Sequence, residues 1–568
     1  MRLGDRGRVS MGGAALAAAL IVCAFAALLP ASAGAHSERP TFFPDPNLGD
    51  FPQFRTTGPR YVVCRPDSRQ RIESMVQDPT RRAANLSALN YCQSYTIQRA
   101  VNESSSGTRI QVLPGVYPEN PSKGPAPPGC QDVYDATAAG NFAIAYEDHR
   151  RCPNAQNLIA ILGDTNGDRI CDAKCNIQIQ GTGDSPDDVL VAGDRAKLNV
   201  FRADRADGFY LKNLTVEKSD FNNVYVLETN GFRIDTVVSR YSREYGILSF
   251  TSDHGIYENC ETSYNGDSGV YPGAGPDARH GVPDARGVVY GIEIRNCESH
   301  HNTLGYSGTA GNGIWAHNNR FHDNATGLVT DSFVPNHPGM PQDHSKWTNN
   351  LFYSNNFDVY NAERDAYCQN TPPTARDPKK VCPTFQAPLG TGMLIAGGDG
   401  NIIANNYFWD NWRYGTMLHW VPATLRNESD PARNYDTSGN NTYMNNCVGM
   451  RPASLTNPDF NNCSGTRDPN GIDFWWDEEE GQDCDPNQAG CVDTDTTNGN
   501  CWSGNVGPGG MFTSDPTPLL LPACPGNDLF RPGNSSKQAF LVPCATWDPA
   551  TNTDPPGCDW FTLPPEPN

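Results

Sequence analysis

The chain has 568 residues, 64 acidic against 43 basic side chains, a net charge of −21 and a mean hydropathy of −0.57. So acidic a protein excludes nucleic acid and anionic membrane surfaces as partners. Its 19 cysteines fit a compartment where disulfides persist rather than a reducing one.

Taken in chain order, Arg2, Arg6 and Arg8 precede an Ala/Leu-rich run from about Ala14 to Leu29, followed by Ala31-Ser32-Ala33-Gly34-Ala35. This is the pattern of a secretory signal with a small-residue cleavage site, so residues 1–35 are expected to be removed and the protein to be extracellular. Cys23 leaves with the signal, which makes the remaining cysteines even in number. No later stretch is long and apolar enough to cross a bilayer, and a monomer is expected. Residues 36–90 read as an N-terminal extension with a Pro-rich start from Phe42 to Pro59. From Tyr91 to Glu119, Ile97, Ala100 and Val101 share one side of a short helix, Ser104 to Gly107 turn the chain, and Ile110, Val112 and Val116-Tyr117 begin the strands.

Gly163 to Cys175 reads GDTNGDRICDAKC. Asp164, Asn166, Asp168 and Asp172 occupy the first, third, fifth and ninth places of an EF-hand-like loop, with the Ile170 carbonyl at the seventh, so Ca2+ is the expected cofactor. Arg169 stands where such a loop needs Gly, and Cys175 where it needs Glu. The plain alternative is an Asp/Asn-rich turn pinned by Cys171 or Cys175.

A repeat begins at Asp207. Asn213, Thr236 and Asn259 are 23 residues apart, and Ser219, Ser242 and Asn265 follow each by six. The rule continues with spacers through Asn296 and Asn302, Asn318 and Asn324, Asn349 and Asn355, and Asn405 and Asn411. A fixed period of β-formers between polar turns predicts a solenoid, a parallel β-helix over residues 91–447. Asn at each corner would stack its amide on the next and satisfy backbone groups that lose their ladder partners. The opening helix and strands from Tyr91 to Glu119, with the Asn-marked coils up to Cys447, resemble the right-handed parallel β-helix proteins of the pectin-lyase-like superfamily. The resemblance implies an all-β right-handed solenoid with an N-terminal cap helix, and is nearly silent on chemistry.

Four insertions break the ruler: Pro272 to Gly287, Asp331 to Lys346, Ala362 to Gly390 and Val421 to Asn440. Each follows the short strand after a coil's second Asn, so all four are expected to leave one edge and form a groove. They supply His280, Asp343, His344 and His419 as candidate proton-transfer groups. Arg279 and Arg364 are candidates to hold a sugar acid, and Trp420 a sugar ring. The same groups could instead brace long loops. The epimerases' Asp-Pro-His is absent, since Asp343-His344 lacks the Pro; the glycoside hydrolases' paired carboxylates are not legible; Asp253-His254-Gly255 falls where the ruler puts a turn.

Residues 448–568 read as an acidic Cys/Pro/Gly-rich cap, with Trp475 and Trp476 buried against the solenoid. The expected cysteine pairs are Cys64–Cys92, Cys368–Cys382, Cys447–Cys463, Cys484–Cys491, Cys501–Cys524 and Cys544–Cys558, while Cys260 and Cys297, equivalent in successive coils, are expected to stack as buried thiols. Two functions fit: a secreted lyase, epimerase or hydrolase acting on polysaccharide, or a non-catalytic surface or matrix protein that binds glycan or protein.

Overall fold

The computed structural model describes residues 39–45, 47–276, 287–334, 337–421, 437–477, 499–525, 535–541, 544 and 556–568. The expected signal and the Cys484–Cys491 pair lie outside them. The chain is a parallel β-helix. Among the described residues, an 11-stranded parallel sheet forms one wall and a 20-stranded sheet, folded at a corner, forms the other two.

The coils stack like on like. Phe232 pairs with Phe209, Ile234 with Leu211 and Val237 with Leu214, and all six are buried in one interior cluster. Further on, Phe321, Phe352 and Phe408 stack with ring centroids 5.2 and 4.8 Å apart. Each such side chain contributes about 1.5–3 kcal/mol on burial, so the stack of coils rather than any one strand carries the fold.

Asn213, Thr236 and Asn259 occupy one place in adjacent coils, as the pairs Asp235↔Lys212 and Asp235↔Glu258 show. Their role differs from the expected one. These residues are left-handed corners with φ of 52, 55 and 53°, and Asn318, Asn349 and Asn405 repeat this at 56, 57 and 55°. Asn is among the few residues that reach that region at low cost. The stacked amides come one residue later, where Asn319 donates to Asn350, Asn350 to Asn406 and Asn406 to Asn446 at 3.0–3.1 Å. A second ladder, at the expected offset, runs Asn265, Asn302, Asn324, Asn355, Asn411 and Asn470. A third joins Gln342, Asn401, Asn441 and Asn500.

Five of the six expected cysteine pairs are disulfides. Cys260 and Cys297 are bonded instead of lying as thiols, because the register brings their Cα atoms to 4.5 Å, within bridging distance. They take the column that the first amide ladder then continues, since Cys297 N–H donates to Asn319 Oδ1 at 2.9 Å. Cys130–Cys152 and Cys171–Cys175 are also bonded.

The helix Ile97–Glu103 places Ile97, Ala100 and Val101 in the interior cluster beside the first coils. Its first amides, Ile97 and Gln98 N–H, donate to the buried Glu119 carboxylate. Strand pairing extends past residues 91–447 at both ends. Arg60–Val63 adds a strand to Arg109–Val112, while Cys501–Ser503 and Ile472–Trp476 continue the sheets beyond Thr442 and Tyr414. Trp475 and Trp476 are buried, as expected. Residues 39–45 and 47–55 form a strap along the coils. Arg39 is ion-paired with Asp204 and Glu228, Asn230 donates to the carbonyls of Asp45 and Leu48, Phe51 packs on His254, and Arg55 donates to Gly107 O. No helix of the described residues is long and apolar enough to cross a membrane.

Candidate functional site

The insertions use two edges of the 11-stranded wall rather than one. The first, second and fourth follow the ends of wall strands Ser268–Gly273, Thr326–Asp331 and Tyr414–His419. The third leaves before its coil has made a wall strand: Asn361 caps a helix at Ala362–Asn370, accepting from Arg364 N–H, and only after Gly390 does Thr391–Ala396 enter the wall. The wall is also covered. Its outward column Tyr225, Leu248, Tyr271 and its continuation Val329, Leu394, Met417, Trp475 are all buried. Phe142 packs over Phe221, His337 over Phe250, and Phe385, Leu541 and Trp560 over the later coils.

At the far edge, Asp343 pairs in register with Asp399, and His344 N–H donates to Asp399 O at 2.8 Å. Ser438 links this corner to His419, its N–H donating to Asp399 Oδ1 at 3.1 Å and its hydroxyl to His419 O at 2.5 Å. Asp343, His344 and the His419 backbone therefore lie at one corner, together with Asp399, which was not anticipated. His344 is exposed. The His419 imidazole is buried 6.0 Å from the Phe333 ring, and burial pulls its pKa down to about 4, so it is neutral at pH 7. Its Nδ1 and the indole N–H of Trp420 have no hydrogen-bond partner among the described residues, while Trp420 backbone N–H donates to Asp477. Arg279 and His280 lie outside the described residues. Arg364 does not join this group. On the opposite edge, it donates to Val381 O at 2.8 Å and lies over Phe357, bracing its own loop.

The Asp164 loop is a knot of amide donors. Asp164 accepts N–H bonds from Asn166, Gly167 and Arg169 and an ion pair from Arg205 at 2.8 Å. Asp172 accepts from Thr165, and Asp168 from Asn166 and Ile170. Among the described residues no group of three or more His, Cys, Asp or Glu is placed to hold a metal. The Ca2+ expectation is read by chelation, which lowers Tm if the loop takes the ion. Asp164→Ala is expected to cost about 1–3 kcal/mol with or without chelator, because it removes the acceptor of three loop N–H groups while Arg205 keeps Glu228. A chelator-dependent Tm that Asp164→Ala abolishes would establish a calcium site.

The near edge, under the third insertion, holds a carboxylate pair. Glu244 and Asp267 stand in adjacent coils, Asp267 N–H donating to Glu244 O at 3.0 Å. Asp267 is buried, and its Oδ1 has no hydrogen-bond partner among the described residues. Burial, followed by the neighbouring Glu244 charge, holds the Asp267 proton far above the usual carboxylate range. Burial also lifts Glu244 to about 7, against the opposing effects of Thr384 and Arg243. Glu244 is half-buried and Asp267 buried, and burial with a neighbouring like charge favours the protonated form of an acid near neutrality. Thr384, whose N–H donates to Gly266 O at 3.0 Å, and Tyr360, whose hydroxyl donates to Phe385 O at 2.7 Å, belong to the segment lying over it. The signal was in the sequence: Glu244 and Asp267 are 23 residues apart, on the same ruler as the Asn corners.

Sequence comparison finds no matching protein family and no matching curated protein. Structure comparison finds pectate lyase Pel9A (TM-score 0.35, 13% identity, 74% of this chain and 75% of that one). It also finds a family 28 exopolygalacturonase of Yersinia enterocolitica (0.35, 11%, 81% and 78%) and the A-module of the Azotobacter vinelandii mannuronan C-5 epimerase AlgE6 (0.28, 10%, 72% and 93%).

Proposed function

We propose that this chain is a secreted carbohydrate-active β-helix protein acting on polysaccharide, with Glu244 and Asp267 as its proton-transfer pair. The observation that carries this reading is two acids one coil apart under the third insertion, Asp267 N–H donating to Glu244 O and Asp267 buried with its Oδ1 unpaired among the described residues, both with pKa raised by burial. In a hydrolysis, the protonated member donates to the glycosidic oxygen as the C–O bond breaks, while the ionised member takes a proton from the attacking water. Eight disulfides among the described residues support an oxidising, extracytoplasmic compartment. Asp343 and Asp399, with His344 and His419, form a second cluster that the same assay tests. The covered wall favours the other reading, a glycan-binding protein without turnover.

The deciding experiment incubates the protein with a polysaccharide panel and measures new reducing ends, unsaturated uronates and epimer composition. It is run on the native protein and on a Cys368→Ser/Cys382→Ser variant that loosens the third insertion. Products from one polysaccharide, lost in Asp267→Asn and kept in Asp343→Asn, are expected. No product from either protein on any polymer would overturn the catalytic reading.

A further inference from the structure

Beside the acid pair, on the outer side of the same two coils, is a cleft lined by Arg195, Arg243 and Arg376, with Lys380 at its rim and Tyr264 along one side. In a chain of net charge −21, three guanidinium groups facing one cleft call for an explanation. Three guanidinium groups face two carboxylates, Asp220, whose charge acts on all three, and Asp377. Arg195 Nη1 donates to Ser219 O at 3.1 Å, and Arg376 donates to Thr371 O at 2.9 Å and Cys368 O at 2.6 Å. Backbone carbonyls orient these two groups without neutralising them. Arg243 has Asp220 at a loose 3.7 Å, and Asp377 is the other carboxylate of the cleft. Burial and the charges of neighbouring arginines depress the pKa of Arg195 and Arg376 against the opposing pull of Asp220, so Asp220 offsets the repulsion only in part and an anion would relieve the rest. The guanidinium fork matches the two oxygens of a carboxylate or the oxygens of a sulfate. Tyr264 stacks on His301 at 5.0 Å and meets Tyr241 at 5.7 Å, giving an aromatic surface next to the charges on which a sugar ring can lie.

We propose that Arg195, Arg243 and Arg376 form an oxyanion-binding site for a charged sugar substituent, built by the third insertion folding back on the coils of Ser242 and Gly266. The site is independent of whether the acid pair turns substrate over.

The test is equilibrium binding of galacturonate, galactose 6-sulfate and neutral galactose oligosaccharides, by calorimetry at two salt concentrations. The wild type is expected to bind at least one anionic sugar at least tenfold more tightly than the neutral one and to weaken with salt; the preferred sugar identifies carboxylate or sulfate as the ligand. Arg376→Gln and Arg243→Gln are each expected to remove at least tenfold of that preference. Arg243 is exposed, so its variant reports on binding even where Arg376→Gln perturbs the loop, and unchanged melting shows that folding is intact. Equal affinity for charged and neutral sugars, or anion binding unaffected by Arg243→Gln, would overturn the proposal. Asp267→Asn is expected to leave this binding in place, which separates failure here from failure of the catalytic reading.

Discussion

Asp267→Asn should reduce polysaccharide turnover by about 10²–10⁴-fold, the range lost with a general acid or base, and should simultaneously raise Tm in alkaline buffer. The second half follows from linkage. An acid whose folded pKa is raised contributes stability that is fully present below its unfolded pKa, and this is lost as pH rises through the folded value. Asp267 is such a group, with burial as the main cause and the Glu244 charge as the next. The wild type therefore loses stability on going from acidic to alkaline pH, whereas the neutral amide does not. The Tm difference should favour Asn increasingly as pH rises. Glu244→Gln should show the same trend, the loss starting in the ordinary glutamate range and being nearly complete at the value of about 7 to which burial lifts that carboxylate. A purely structural Asp267 would give lost activity with lower stability at every pH. Unchanged turnover, or a Tm difference flat in pH, would sink the assignment.

Asn406→Ala is the substitution with the largest expected cost to folding. Its Oδ1 accepts from Asn350 N–H and Nδ2 at 2.9 and 3.1 Å, and its Nδ2 donates to Asn446 Oδ1 and Trp347 O at 3.1 and 2.9 Å. All of these groups are buried, and each one orphaned costs about 1–3 kcal/mol, so a loss of about 4 kcal/mol or more is expected. The preceding residue is the control. Asn405 has φ 55°, a conformation that Gly adopts without penalty, and Asn405→Gly should be nearly neutral. Denaturant titration of both variants distinguishes the corner from the ladder. A larger loss at Asn405 would reverse the assignment.

The repeat carried the fold in plain view, because every coil repeats the same backbone problem at the same place. The period shows where Asn recurs but not which of two adjacent Asn bends the chain and which stacks, since Asn318-Asn319 and Asn405-Asn406 read alike until φ and partners are known. Covering of the wall was partly legible. Thr391–Ala396, TGMLIA, and Ser268–Gly273, SGVYPG, lack the polar alternation of a sheet with one wet face. The edge taken by the third insertion was not, because residues 358–361 look like the short strand that precedes the other insertions, and only Asn361 capping a helix shows the chain leaving early. Histidine drew attention as the group that titrates near neutrality, yet burial moves His419 out of that range and moves Glu244 into it. That exchange depends on desolvation, which spacing alone does not reveal.

The strap of residues 39–45 and 47–55 has a consequence for the order of assembly. Arg39 closes on Asp204 and Glu228, and Phe51 on His254, so the earliest described residues complete contacts with chain made some two hundred positions later. A polypeptide is synthesised from its N-terminus, and the strap therefore has nothing to hold until the coils around His254 exist. Those coils must first stack with Asp204 and Glu228 lacking one of their counter-charges, and the strap then locks a stack already formed. An affinity tag or reporter joined directly before Arg39 would accordingly emerge beside the second and third strands of the 11-stranded wall and would report on that late closure.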